Sequence, residues 1–280
     1  MRQRFPVWLA LLLAGCTCPQ EQPGPMVRGL LALAREAAQE RMAQPPPPEA
    51  DTLQRLDRLA REVRDLLHTK RPVEAMNEVL FARHGFAGDA HDLSLQSALL
   101  HQVLDRRRGS CIGLSGLYLA LGERLNLPLA GVLVPQHMLV KTRGTAGRLV
   151  ELLKQGRSMP RSWYVQRYAV PPGNPLYLET ELSVDQTLAV LRYNLANDLR
   201  DHQRFRGALE HYRQVVAVLP RFAEAQANMA LTLYRLGRLS EAEQAYRAAQ
   251  AANPALPDLE RNLRLLRREA GRPTSAPDRP

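Results

Sequence analysis

Apolar residues along this chain change period three times, and each change predicts a different kind of element. From Asp51, Leu53, Leu56, Leu59, Val63 and Leu67 recur at helical spacing, and Asp51-Thr-Leu-Gln54 resembles a capping box. A second helix is predicted from Pro72, a favoured first-turn position, to near Gly85, and a third from Asp92 to Arg107. Gly109 and Ser110 break the chain before a fourth helix, Cys111 to Leu125. Its apolar residues spread round nearly the whole circumference, so it should be buried on most sides, with Gly113, Gly116 and Gly122 allowing close approach. Beyond Pro128 the period drops to two. Leu129–Val134, His137–Thr142 and Arg148–Leu153 read as strands, the last two joined at Arg143–Gly147, and Trp163–Val170 reads as a further strand. Helices followed by a small antiparallel sheet make residues 51–185 an α+β domain.

The helical period then returns with an internal repeat. Asn194, Ala196, Leu199, Ala208, Tyr212 and Pro220 recur 34 residues later as Asn228, Ala230, Leu233, Ala242, Tyr246 and Pro254. That is the tetratricopeptide period, with small residues at helix crossings, an aromatic residue in the second helix and proline at the exit. Residues 190–269 are therefore expected to form two such repeats plus a capping helix from Leu259 to Arg268, and 270–280 a disordered tail.

Ahead of the α+β domain the pattern is of another kind. Arg2 and Arg4 precede mostly apolar residues from Phe5 to Ala14, too few to span a bilayer but sufficient for a secretory signal. Leu13-Ala14-Gly15-Cys16 matches a lipobox, which makes 1–15 a lipoprotein signal peptide and Cys16 the lipidation site. Residues 16–50, with Pro19, Pro23, Pro25 and the run Pro45–Pro48, read as a Pro-rich tether holding one short helix near Val27–Met42. These features predict a lipid-anchored protein of the bacterial cell envelope. Thr17 stands where Asp often retains such proteins at the inner membrane, so the outer membrane, facing the periplasm, is the expected location.

The formal charge is +10, falling to +8 once Arg2 and Arg4 are cleaved away. The arginines are scattered among acidic residues without interleaved aromatics, and export separates the chain from nucleic acid, which is excluded as a partner. No cofactor motif and no metal-ligand spacing is present: His84, His91 and His101 lack the His-Glu-x-x-His arrangement. Three cysteines make no disulfide framework, and with Cys16 lipidated and Cys18 in the tether, Cys111 is the one thiol of the folded body.

Cys111 opens a buried helix, where unpaired backbone N–H groups and the helix dipole favour thiolate. His137 and Glu151 fall on adjacent predicted strands at hairpin spacing, so both can share one face. If the helix start packs on that face, the three supply a nucleophile, a base and an orienting carboxylate. Spacing by itself equally allows a structural cysteine, a strand-edge histidine and a solvated glutamate. Gln96 and Gln102 are candidate oxyanion donors, though their helical setting favours ordinary packing.

The blocks Asn77–Phe86, Val103–Gly109, Leu114–Pro128, Gly131–Val140 and Leu191–Leu195 resemble transglutaminase-like proteins of the SirB type, over about residues 53 to 265. The resemblance implies a papain/transglutaminase-like fold running into tetratricopeptide hairpins. Many SirB-type chains have Pro at the position of Cys111; this one has Cys, as the wider transglutaminase and papain superfamily does. His137 matches the family histidine, with Gln136 replacing the Gly before it, and Glu151 matches the acidic residue of the next strand, Asp in classical members. Two functions follow: a Cys-dependent hydrolase or acyltransferase, or an inactive scaffold whose repeats hold an envelope protein or peptide.

Overall fold

The computed structural model describes residues 22–41, 46–144 and 147–270. The expected signal peptide, Cys16 and residues 271–280 of the expected tail lie outside the described residues. Helix α1 (Pro25–Arg41) corrects the reading of 16–50 as a tether. Its Val27, Leu30, Leu31, Ala34 and Ala37 are buried in the main core. Pro25 suits a first helical turn; the helix expected near Val27–Met42 is present, and what the flanking prolines obscured is that it packs into the core. The start of α1 is pinned by Glu123, whose carboxylate accepts from the Met26 and Val27 amides at 2.8 and 3.1 Å.

Helices α2 (Glu49–Leu66) and α3 (Pro72–Asn77) follow as the periodicity predicts. After α3 the coil widens over Glu78–Arg83, closing with an i→i+5 bond from the His84 amide to the Val79 carbonyl at 3.0 Å. Next come β1 (Ala87–Gly88), α4 (Leu100–Arg106), β2 (Arg108–Gly109) and α5 (Cys111–Arg124). The helix expected from Asp92 begins only at Leu100, because the polar residues ahead of it bond locally instead. Asp89 Oδ1 accepts from the His91 and Asp92 amides, and Ser97 Oγ donates to the Asp92 and Ser94 carbonyls. Helix α5 is buried from Gly113 to Gly122, and α1, α2, α4 and the sheet pack around it.

The sheet is antiparallel, in the order β3 (Leu129–Val134), β4 (His137–Thr142), β5 (Leu149–Val150). Val134 pairs with His137, which makes Pro135–Gln136 a two-residue turn. Alternation sends Leu133, Met138, Val140 and Val150 into the main core, while Val132, Val134 and Leu139 face a smaller cluster with Tyr164 and Leu178. The strand expected over 163–170 is instead helix α6 (Arg161–Arg167). Pro160 precedes its first turn, and helical spacing puts Tyr164 and Tyr168 on one side, their rings 6.4 Å apart and nearly parallel.

Helix α7 (Val184–Asp201) opens with a capping box between Ser183 and Gln186. With α8 (Phe205–Val218) it forms the first repeat; α9 (Ala223–Arg235) and α10 (Leu239–Ala252) form the second, and α11 (Leu259–Ala270) closes the array. The mostly helical α+β architecture with a three-stranded sheet and a terminal helical array is as the sequence predicts.

Candidate active site

The floor of the site is the start of α5. Ser110 caps it, its Oγ accepting from the Gly113 amide at 3.4 Å, and the Ser110 amide and hydroxyl both donate to the Ser97 carbonyl at 3.0 and 3.2 Å. A Cβ on Gly113 would lie 2.0 Å from that same carbonyl, so only glycine lets the Ser97 backbone seat the end of the helix that carries Cys111. Gly88 does the same one layer out, against the backbone of Leu153, where an added Cβ would lie 2.7 Å from Cα.

His137 begins β4, and its Nε2 donates to Glu151 Oε2 at 2.9 Å, with both side chains at most 3% exposed. Glu151 lies just past β5, where the chain bends into a short turn; its Oε1 accepts from the Leu153 amide at 3.1 Å. The register pairing Val140 with Val150 carries Glu151 opposite Leu139, on the same face as His137 and diagonal to it. With Nε2 committed to the carboxylate, Nδ1 is the ring nitrogen left for Cys111. Burial disfavours the imidazolium, but hydrogen bonding and electrostatic attraction to Cys111 and Glu151 outweigh it and push His137 up to about 9.

Tyr168, at the end of α6, was not singled out from the sequence. Its ring stacks on the His137 imidazole, centroids 4.8 Å apart and planes 4° from parallel. Burial, and then the charge of Glu151, push its phenol up to about 12. The spacing of Tyr164 and Tyr168 after Pro160 was the available signal, hidden by the strand preference of aromatic residues.

Above these groups lies a cleft of about 480 Å³ lined by Ser110, Cys111, Gln136, His137, Arg167 and Tyr168 among others. Cys111 is half-buried and its thiol is free. The expected Cys111, His137 and Glu151 thus come together; Gln96 and Gln102 do not line the cleft. His91 lines its edge, His84 pairs with Glu62 at 2.9 Å, and His101 is held down by burial. Among the described residues no cluster of three His, Cys, Asp or Glu side chains is placed to hold a metal ion, and no helix is long and apolar enough to cross a membrane.

Residues 50–168 match the transglutaminase-like superfamily, and residues 193–257 match the tetratricopeptide repeat. A UPF0162 protein of Xylella fastidiosa is 27% identical over 194 residues, 66% of this chain and 69% of the relative. Protein SirB1 of Salmonella typhimurium is 31% identical over 101 residues, 35% of this chain and 38% of the relative. Human F-box only protein 21 is 30% identical over 140 residues, 49% of this chain, but the match spans only 21% of that longer protein. Residues 50–168, the α+β core with its cysteine-headed helix, are a transglutaminase-like domain. Tetratricopeptide repeats follow at residues 193–257, and in this combination the chain is similar to SirB-type proteins.

Proposed function

We propose that this protein is a cysteine-dependent acyl-transfer enzyme. The observation that carries the reading is the bonded line of Cys111, His137 and Glu151 at the floor of an open cleft. Cys111 Sγ attacks an amide or ester carbonyl, and the C–N or C–O bond breaks as His137 gives its proton to the leaving amine or alcohol. Water or an amine then takes the acyl group from sulfur, passing a proton back to His137. Glu151 holds the imidazole in the required tautomer, and Tyr168 keeps its plane. The Gly113 amide is taken by Ser110 Oγ, which leaves the Cys111 and Ile112 amides at the start of α5 to face developing oxyanion charge.

The test is alkylation of Cys111 by iodoacetamide, followed by peptide mass. A thiol beside an imidazolium should react well below the pH at which a free thiol does. His137→Ala should move the profile toward ordinary thiol behaviour, and Glu151→Gln should move it less. A folded protein whose Cys111 stays unreactive from about pH 5 to 9, bracketing the reference thiol pKa, sinks the reading.

The repeats support protein–protein interaction, and we assign them an envelope protein or peptide as partner. Membrane attachment through Cys16 rests on the Leu13–Cys16 lipobox, two or more acyl chains giving stable anchoring at ~0.8 kcal/mol per buried CH₂. The resulting location is the periplasmic face of the outer membrane. Cys16→Ser should abolish incorporation of labelled lipid; persistent labelling excludes the anchor.

A further inference from the structure

The turn that delivers His137 is held from the second repeat. Gln136 sits in the left-handed region at φ 58°, a conformation that costs a non-glycine residue about 1 kcal/mol or more and persists only when its surroundings impose it. What imposes it is Glu224, in the first turn of α9. One carboxylate oxygen accepts from the Gln136 amide at 2.9 Å and the other from the Tyr177 hydroxyl. Glu224 is 6% exposed, and a carboxylate so buried is tolerable only with such donors. Tyr177 is itself fixed to the sheet, bridging Leu133 while the next amide, Leu178, donates to the Leu133 carbonyl at 2.8 Å.

The same repeat also reaches the cleft. Asn253, Ala255, Leu256 and Pro257, from the connection between α10 and α11, line it together with Cys111 and His137. This connection is a built feature. Asn174 of the α+β domain, itself buried, donates from Nδ2 to the Ala252 and Arg221 carbonyls at 3.0 Å each, and Asn253 Oδ1 accepts from the Ala255 amide at 3.1 Å. Leu93, 86% exposed, contributes a second apolar edge to the cleft. A cleft of about 480 Å³ falls within the ~300–1,000 Å³ that enclose a drug-sized ligand. A cleft of that size encloses a few side chains and not the face of a folded protein.

We propose that the second repeat is a working part of the active site. Glu224 is a positioning residue that sets His137 through the Gln136 backbone, and Leu256 belongs to a wall that admits an extended peptide with an apolar side chain beside the reacting carbonyl. The proposal rests on the acyl-transfer reading. It is tested on the full chain by comparing two alkylating probes at Cys111, iodoacetamide and a bulky fluorescein maleimide. Glu224→Ala should shift the pH profile of iodoacetamide labelling toward that of His137→Ala, with helical circular dichroism unchanged. Glu224→Gln, whose amide oxygen still accepts from Gln136, should restore the wild-type profile. If Glu224→Ala does not fold, Glu224→Asp, which retracts the carboxylate by one methylene, should give the same shift. Leu256→Ala should raise the maleimide rate several-fold relative to iodoacetamide. A wild-type profile in folded Glu224→Ala or Glu224→Asp overturns the positioning role, and an unchanged probe ratio in Leu256→Ala overturns the wall. A wild-type protein whose Cys111 does not react with iodoacetamide instead removes the acyl-transfer reading and this inference with it.

Discussion

Ala196, Leu199, Ala208 and Tyr212 of the first repeat match Ala230, Leu233, Ala242 and Tyr246 of the second, and all eight are buried. Their surroundings differ. The first set belongs to the continuous core that contains α1, α5 and one face of the sheet, whereas the second closes a separate cluster with Leu259, Leu263 and Leu266 of α11. The repeat period therefore determines which face is buried, and the neighbour determines what burial is coupled to. Opening the first repeat exposes the main core; the second can open more nearly by itself. Yet the second is the repeat that touches the turn before His137, through the bond from the Gln136 amide to Glu224.

The largest expected effect separates the two tyrosines. Tyr212→Ala removes a ring from the main core and the hydrogen bond to Asn197 Oδ1 at 2.6 Å, and should cost about 3–5 kcal/mol in urea denaturation. Tyr246→Ala should lower global stability less, and its hydrogen exchange should rise mainly within residues 223–270. Equal global losses, with exchange spread over the whole chain, would break the distinction.

The α+β domain and the second repeat should also respond differently to pH. His137 is raised from an ordinary 6.5 to about 9, so its stabilising contribution is fully present below about 6.5 and is lost as pH rises through about 9. The stability gap between wild type and His137→Gln should therefore narrow across that window. Residues 225–270 contain no histidine, so local opening of this part of the second repeat, beyond the Glu224 that burial raises, should vary little over the same range. A gap that widens with pH would mean that the imidazole is neutral in the native site.

The smallest effect concerns the ion pair between Arg213 of α8 and Glu241 of α10, 3.4 Å apart with both side chains nearly half exposed. Arg213→Ala should change stability by no more than about 1 kcal/mol. A larger loss in denaturation would show that charge, and not apolar packing, joins the repeats.

Much of this was legible in the residues themselves. The periods of α2, α3 and α5, the β3–β4 hairpin and the 34-residue repeat are local signals, and each names its own apolar face. Cys111, His137 and Glu151 were legible as types in the right order, and the hairpin spacing placed the last two on one face. Two local readings failed where neighbours reversed them. Trp163, Tyr164, Val165 and Tyr168 prefer strands, but as α6 the two tyrosines stack side by side, Tyr164 against the outer face of the sheet and Tyr168 on His137. The helical period in residues 25–41 has value only because α5 and α7 offer it a surface; Gly29 approaches α7 so closely that a Cβ there would lie 2.2 Å from Leu188.

By itself, then, the sequence determined which faces are apolar, that helices give way to strands after Pro128, that two repeats follow, and that Cys111, His137 and Glu151 are candidates for nucleophile, base and orienter. Only the tertiary structure decided what those faces meet. The bond from Gln136 to Glu224 joins residues 88 apart, and the Asn174 contact to Ala252 joins residues 78 apart. Single polar contacts of this kind leave no periodic trace, because one donor and one acceptor can be written anywhere along a chain that folding brings together.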